Sequence, residues 1–357
     1  MIRVLQIFGS SNPGGAETLI TSILENINRE DVMFDFLILD NHIGALENKW
    51  KELGSNIYHI RKYNILNAKS FKNEFNSFLS KHKNEWDYIH VNTELSGPII
   101  CKIAKENNIK SIAHSHSASS GKGIKGLLRK IEFKKFSKGY GDILLACSTP
   151  ASKIRFGNRS KEAIILNNSI NLNDFIFNEY TKNELRIKYN IPNNAFVIGH
   201  VGRFDKVKNH EFLIKLFFEY HKQNNNAYLV LVGDGVLKEK CQNLVNKLNL
   251  EKNVIFTGLT FEVYKYYNMF DLFIMPSLFE GIPLAGIEAQ ANGLPLLLSD
   301  TIDRNVKLNE NVKFISLTNL FNWVDEIPNM KRANISSNLS SYDIKNIAEQ
   351  YKNLLII

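Results

Sequence analysis

Glu280-Gly281-Ile282-Pro283-Leu284-Ala285-Gly286-Ile287-Glu288 follows closely on the apolar run Leu272-Phe273-Ile274-Met275-Pro276. The apolar run reads as a buried strand, and the residues after it as a turn that opens a helix. Pro283 fits the first helical position, where a missing N–H costs nothing. Leu284 and Glu288 then lie one turn apart on the same face. One carboxylate is left in the loop and the other on the first turns, both near free backbone N–H groups. Carboxylates accept hydrogen bonds from sugar hydroxyls, and a helix N-terminus can hold a phosphate. A sugar joined to a phosphate would suit both parts. Taken alone, the segment is equally readable as a capped surface helix with incidental acids.

Strand–turn–helix units of this kind recur along the chain. Val4–Phe8, Met33–Leu39, Asn56–His59, Tyr88–Val91, Ser111–Ala113 and Ile143–Ala146 read as strands. Amphipathic stretches such as Ala16–Ile27 and Ser70–His82 lie between them. A second series reads Val197–Val201, Ala227–Val232, Val254–Phe256, Leu272–Met275, Leu296–Leu298 and Val312–Ser316. Strands alternating with helices argue for mainly parallel sheets covered on both faces. The 357 residues are also long for one core, which favours two domains. The expected fold class is therefore α/β, with two doubly wound Rossmann-like domains facing across a cleft. The expected segments are a first domain at 1–172, a polar linker at 173–194, a second domain at 195–341 and a C-terminal helix at 342–357. That helix carries Ile344, Ile347, Tyr351 and Leu354 on one stripe. It either caps the second domain or crosses back to the first.

Composition narrows the function classes. A hydrophobic content of 44% with 22% charged residues is that of a folded globular protein. The apolar stretch Val4–Phe8 is interrupted by Gln6 and is too short for a signal peptide, and no run approaches a transmembrane span. Cys101, Cys147 and Cys241 are far apart, with no Cys-x-x-Cys pair. That pattern fits a reducing cytoplasm and neither a disulfide framework nor a structural zinc. The net charge of +8 is concentrated in residues 118–140, where Lys122, Lys125, Arg129, Lys130, Lys134, Lys135 and Lys138 face one acid, Glu132. Ile124, Leu127, Leu128, Ile131 and Phe136 interleave at helical spacing. Two readings stand: a basic amphipathic helix on an anionic membrane surface, or a solvated helix packed on its own domain. No nucleic-acid reading motif accompanies the patch, so nucleic acid is not an expected partner.

Four further stretches could carry chemistry. The first strand runs into Gly9-Ser10-Ser11-Asn12-Pro13-Gly14-Gly15-Ala16-Glu17, a small-residue turn that lets a ligand approach the backbone. It is neither Gly-x-Gly-x-x-Gly nor a Walker loop. Gly202-Arg203-Phe204-Asp205-Lys206-Val207-Lys208 follows the first strand of the second series. Arg203 and Lys208 can converge there on one anion, with Lys206 the alternative partner if the loop winds differently. Gly233 and Gly258 end two more strands, where open α/β sheets gather phosphate and base contacts. Finally, Ala113-His114-Ser115-His116-Ser117 closes a strand of the first series. His114 and His116 should point the same way, and no adjacent Cys or carboxylate completes a metal site.

Together these pieces resemble the large retaining, nucleotide-sugar-dependent glycosyltransferase family 4, with its GT-B architecture. Met275 to Leu284 and Glu288 to Pro295 are similar to its Glu-x7-Glu signature. Gly202-Arg203 with Lys208 resembles its diphosphate pair, Gly14-Gly15-Ala16-Glu17 its glycine loop, and His-Ser-His the branch that builds capsules and exopolysaccharides. The resemblance implies that Glu280 contacts donor-sugar hydroxyls, Glu288 the ribose diol, and Arg203 and Lys208 the diphosphate. Gly14, Gly281, Ile282, Pro283 and Leu284 would lie close to the donor, with Gly15 near the reaction centre. The cleft histidine falls on His116, with His114 as the fallback. His116, Arg203, Lys208 and Glu280 are then the expected catalytic set.

The implied reaction moves a hexosyl unit from a nucleotide diphosphate sugar, UDP-linked in this branch, to a saccharide or lipid-linked saccharide hydroxyl. The anomeric configuration is retained by a front-face course, without a catalytic metal. Such an enzyme would be cytoplasmic or peripheral on the inner membrane face. A GT-B 2-epimerase and a non-catalytic sugar-nucleotide-binding subunit are the alternatives. One departure stands out: the family's Asn-Gly-x-Asp near the domain junction is here Asn168-Ser169-Ile170-Asn171.

Overall fold

The computed structural model describes residues 1–117, 123–136, 139–260, 262–333 and 335–356, without the side chains of 123–125. Two compact units result. One is Met1–Ser169 together with the C-terminal residues from Ile344, and the other is Ile170–Asp343.

The first unit holds a seven-stranded sheet. Its strands are β1 (Ile2–Phe8), β2 (Val32–Ile38), β3 (Ile57–His59), β4 (Tyr88–Val91), β5 (Lys110–Ser115), β6 (Ile143–Ala146) and β7 (Ile164–Ile165). The spatial order is β3-β2-β1-β4-β5-β6-β7, and every pairing is parallel. The second unit holds β8 (Phe196–Val201), β9 (Ala227–Val232), β10 (Val254–Gly258), β11 (Leu272–Met275), β12 (Leu296–Ser299) and β13 (Val312–Ile315). Their order is β10-β9-β8-β11-β12-β13, again all parallel. Helices cover both faces, so β2, β4, β11 and β12 are buried along their whole length. Such strands read as near-continuous apolar runs, interrupted here by Asp35 in β2, His90 in β4 and Ser299 at the end of β12. All twelve expected strands are present, with ends shifted by at most two residues. β7 is additional, and at two residues it is too short to leave a pattern.

In both sheets the strand order reverses beside the first strand of the unit, between β1 and β4 and between β8 and β11. Loops leaving these pairs run to opposite sides, and a crevice opens at their carboxyl ends. The Gly9–Glu17 turn leaves β1, Gly202–Lys208 leaves β8 and the Glu280–Glu288 segment leaves β11.

Residues 173–194, expected as a linker, instead fold into the second unit. Helix Glu179–Lys188 is capped by Asn178, whose side chain accepts from the Thr181 amide. Arg186 lies fully buried. It donates to the carbonyls of Asn193, Ala195 and Met269 and forms a 2.8 Å ion pair with Asp271. The polar composition of this stretch is the helix's solvent face, and one arginine anchors it. The boundary accordingly falls at 169/170, before the expected linker begins.

The C-terminal helix Ile344–Leu355 belongs to the first unit. It buries Ile344, Ile347, Ala348, Tyr351, Leu354 and Leu355 in one cluster with Leu19, Ile20, Ile23 and Leu24 of helix Gly15–Asn26. The Tyr88 hydroxyl donates to the Leu355 carbonyl at 2.9 Å, and Lys352 pairs with Asp31 at 2.7 Å. The basic 118–140 stretch is described in part, as helix Gly123–Phe133; Lys122, Lys138 and the side chain of Lys125 lie outside the described residues. Among the described residues, no helix is long and apolar enough to cross a membrane.

Arg186→Ala removes four donated bonds and leaves Asp271 without its ion-pair partner, with only the Val197 amide still donating to it among the described residues. It is expected to lower the unfolding free energy by about 3–5 kcal/mol, read from urea titration. A loss below about 1 kcal/mol would mean that residues 173–194 are only loosely attached.

Candidate active site

In the second unit, the loops at the carboxyl ends of β8, β9 and β10 are joined backbone to backbone. Gly202 N donates to Val232 O at 3.0 Å, Phe204 N to Asp234 O at 2.9 Å, and Gly233 N to Gly258 O at 3.0 Å. Gly233 has φ 139°, and a Cβ there would stand 2.2 Å from the Gly202 carbonyl oxygen. No other residue type fits so close to a neighbouring backbone. The loop after β8 is also tied to the loop after β11. Leu278 N donates to Val207 O at 2.8 Å, and the Asn209 side chain to Pro276 O at 3.1 Å. Ser299 and Thr301 hydroxyls both reach Ser277 O from the far side.

This scaffold brings Lys208 and Glu280 together. Their Nζ–Oε1 distance is 2.6 Å, and both side chains are largely buried. Arg203 does not join them. It is 77% exposed and bonds Asp205 at 3.0 Å, so the expected convergence of Arg203 and Lys208 on one point is absent here. The other Asp205 oxygen accepts from the amides of Val207 and Lys208. Burial works against the Asp205 charge, but these bonds and Arg203 hold its pKa below the usual carboxylate value. Lys206 is exposed.

Helix Leu284–Ala291 starts one residue later than expected. Pro283 is its N-cap, with φ −73° and ψ 124°, because the carbonyl of Pro283 is the first to accept helical bonds, from Gly286 and Ile287. Gly281 is exposed, Ile282 and Leu284 are half-buried, and Pro283 is buried. Glu288 lies one turn in from the helix start and accepts from the Tyr267 hydroxyl at 2.6 Å. Burial raises the Glu288 pKa, against the opposing pull of Tyr267 and Lys208. Gly258 has open space around it, with φ 80°.

Several supports left no signal in the sequence. Tyr267 is an ordinary aromatic in a short helix. His200 and His210 lie behind the Gly202 loop, with His200 Nδ1 2.7 Å from Ile274 O and His210 stacked on Phe204. Burial pushes the His210 pKa down to about 4.

In the first unit, Gly14 caps helix Gly15–Asn26 with extended backbone, and nothing lies within 4 Å of where a Gly15 Cβ would be. The loop before it is pinned from behind. Ser11 donates to Glu47 at 2.6 Å, Gly44 N donates to both, and His59 contacts the other Glu47 oxygen at 3.3 Å. Burial alone would raise the Glu47 pKa, but these contacts outweigh it and hold the group low.

His114 and His116 share a face, their ring centroids 3.8 Å apart. They differ in depth: His114 is fully buried, whereas His116 is half-buried at the end of the strand. A third histidine, His90 of β4, stacks on His114 at 5.3 Å. Among the described residues, no three His, Cys, Asp or Glu groups are placed to hold a metal ion. Burial and the nearby Arg155 charge push the His116 pKa down to about 3, so the ring is neutral at neutral pH. Arg155 is itself buried, donating to His114 O and Thr93 O at 2.7 Å. Next to this row a cavity of about 640 Å³ opens at the carboxyl ends of β1, β2 and β4. Gly9, Tyr63, Asn92, Leu95, Leu128 and Arg129 are among its walls.

The family described as Glycosyl transferases group 1 matches residues 181–316. A putative glycosyltransferase of Bacillus subtilis, EpsF, is 31% identical over 310 residues, covering 85% of this chain and 80% of the relative. The capsular polysaccharide biosynthesis glycosyltransferase CapH of Staphylococcus aureus is 24% identical over 319 residues, 88% of this chain and 85% of the relative. Among solved structures, HepE of Anabaena in complex with UDP superposes with a TM-score of 0.81 over 100% of both chains, at 18% identity. The fold is GT-B, and the chain belongs to the group 1 glycosyl transferases, of the family 4 type, as a glycosyltransferase.

Proposed function

We propose that this glycosyltransferase moves a hexosyl unit from a UDP-sugar to a hydroxyl of a saccharide or lipid-linked saccharide, with retention, in surface polysaccharide assembly. The observation that carries the reading is the Lys208–Glu280 ion pair, set at the strand-order reversal of the second unit. A diphosphate sugar offers each member a better partner. The diphosphate takes the lysine, and a sugar hydroxyl donates to the carboxylate. Arg203, held by Asp205 on an exposed side chain, swings to the same diphosphate. The first amides of helix Leu284–Ala291 add the helix's positive end. Glu288, oriented by Tyr267, accepts from the ribose diol. HepE, whose structure contains UDP, and CapH, named for capsular polysaccharide biosynthesis, support the donor and the pathway class.

The chemistry then follows from charge. As the glycosidic bond to the diphosphate breaks, the sugar becomes oxocarbenium-like and the leaving group gains negative charge. Lys208 and Arg203 stabilise that charge, which exists only as the bond breaks. No carboxylate acts as nucleophile. The departing phosphate helps accept the acceptor's proton on the same face, and His116 orients a sugar or acceptor hydroxyl. The second unit is the donor domain and the first the acceptor domain, where the 640 Å³ cavity receives the acceptor.

A lipid-linked acceptor also gives helix Gly123–Phe133 a role at the inner membrane face. Leu127 is 60% and Ile131 50% exposed, one turn apart, with exposed Lys130 and Lys134 beside them. This is the mixture of apolar and basic side chains that an anionic interface attracts.

Three measurements test the reading. Lys208→Ala is expected to lower transfer from a UDP-sugar by about two orders of magnitude, assayed by product mass; near wild-type turnover would remove the diphosphate role. NMR of the product should show the donor's anomeric configuration, and the opposite anomer would end the retaining course. Binding to anionic vesicles should weaken with salt and with Lys130→Gln and Lys134→Gln combined. Absence of binding at low salt would refute the membrane role.

A further inference from the structure

A single file of buried polar side chains runs through the first unit from the end of β5 to the C-terminal helix. His116 Nε2 lies 2.8 Å from Asn92 Oδ1, Asn92 Nδ2 lies 3.0 Å from Gln6 Oε1, and Gln6 Nε2 lies 3.1 Å from the Tyr351 hydroxyl. That hydroxyl lies 2.8 Å from His90 Nδ1. Gln6, His90 and Tyr351 are completely buried, and Asn92 nearly so. Every link can be written with its hydrogen on either side, so two opposite directions of donation satisfy the file equally. In one, each group donates toward Tyr351 and His90. In the other, each donates toward His116.

One contact breaks the tie. The Asn92 nitrogen also faces the His90 backbone carbonyl at 3.4 Å. A carbonyl only accepts, so the amide must keep its NH₂ on that side and its oxygen toward His116. Asn92 Oδ1 can then only receive the His116 Nε2 hydrogen. Gln6 and Tyr351 pass the same direction on, ending in a hydroxyl that donates to His90 Nδ1. Reversing the file would set the Asn92 oxygen against the carbonyl.

We infer that Asn92, Gln6 and Tyr351 are positioning residues that lock His116 as the Nε2–H tautomer, leaving Nδ1 as a hydrogen-bond acceptor for a substrate hydroxyl. His116 Nδ1 is buried and has no hydrogen-bond partner among the described residues. This rests on the reading above that His116 orients a sugar or acceptor hydroxyl, and it narrows that role. The ring receives a hydrogen from the hydroxyl and gives none. It also makes Tyr351 part of the site's machinery, although its helix is far along the chain from every motif.

The test is nitrogen-15 NMR of histidine-labelled full-length protein, with the His116 signals identified by their loss in His116→Gln. The expected result is a protonated Nε2 and a bare Nδ1 from pH 6 to 8. A protonated Nδ1, or an even mixture of tautomers, would overturn the inference in the wild-type protein alone, whatever the variants do. Asn92→Ala should yield both tautomers and lower kcat/KM about tenfold, the worth of one hydrogen bond. Asn92→Asp, which keeps an acceptor at that position, should keep Nε2 protonated. An unchanged tautomer in Asn92→Ala would also overturn it. Undiminished transfer by His116→Ala is a different failure: it would remove His116 from the reaction while the tautomer signals still report the lock.

Discussion

The reversal of strand order beside β1 and beside β8 is the constraint from which the rest of the site follows. Parallel strands cannot be joined by tight turns, so each sheet grows outward through helices in two directions from its first strand. Where the directions part, two neighbouring strands send their loops away from each other and leave backbone amides uncovered. In the second unit that place is between β8 and β11. Lys208 arrives on one loop and Glu280 on the other, and the bonds between Leu278 and Val207 and between Asn209 and Pro276 hold the two loops in register. The glycine contact between Gly233 and Gly202 keeps the neighbouring loop low enough not to fill the opening.

The first unit meets the same constraint with different side chains. Its corresponding opening is bordered by the glycine turn after β1 and by Asn92 and Thr93 after β4. Here the sheet interior is unusually polar, with Gln6, His90 and His114 at positions that a buried parallel strand ordinarily gives to aliphatic residues. Gln6 and His90 Nδ1 are paired through Tyr351, a residue contributed by the last helix, whereas His90 Nε2 and both ring nitrogens of His114 are buried with no partner among the described residues. A polar interior of this kind is costly unless its members are paired. Its presence directly beneath the opening is where a site, not packing, would be expected to set the residue choice.

Much of this was legible in the sequence because strands buried on both faces have nearly continuous apolar runs, and because glycines cluster where backbones must approach closely. The Glu280–Glu288 segment could be placed at a strand end and helix start on those grounds, to within one residue at Pro283. What could not be read depended on partners distant in sequence. Arg186 is one charge among many in a polar stretch until Asp271 and three carbonyls surround it, which is why residues 173–194 read as a linker. Tyr267 and Tyr351 look like ordinary aromatics until their hydroxyls meet Glu288 and Gln6. The Lys208–Glu280 pair and the separation of Arg203 from it are set by loop winding, to which spacing is blind. For the C-terminal helix, a hydrophobic stripe shows that one face is covered and is silent about which unit covers it.

The return of that helix to the first unit bears on how the protein is made. The first unit's strands leave the ribosome before any of the second unit, yet their core lacks Ile344, Ile347, Tyr351 and Leu354 until residues 344–355 follow. The 174 residues of 170–343 intervene (343 − 170 + 1), a wait of about 9–35 s at roughly 5–20 residues per second. During that time the surface of helix Gly15–Asn26 that will receive Tyr351 is open, and Gln6 and His90 have no hydroxyl to bond. The unit encoded later is thus the first whose core can close. The one encoded earlier keeps that apolar surface uncovered until helix Ile344–Leu355 has followed.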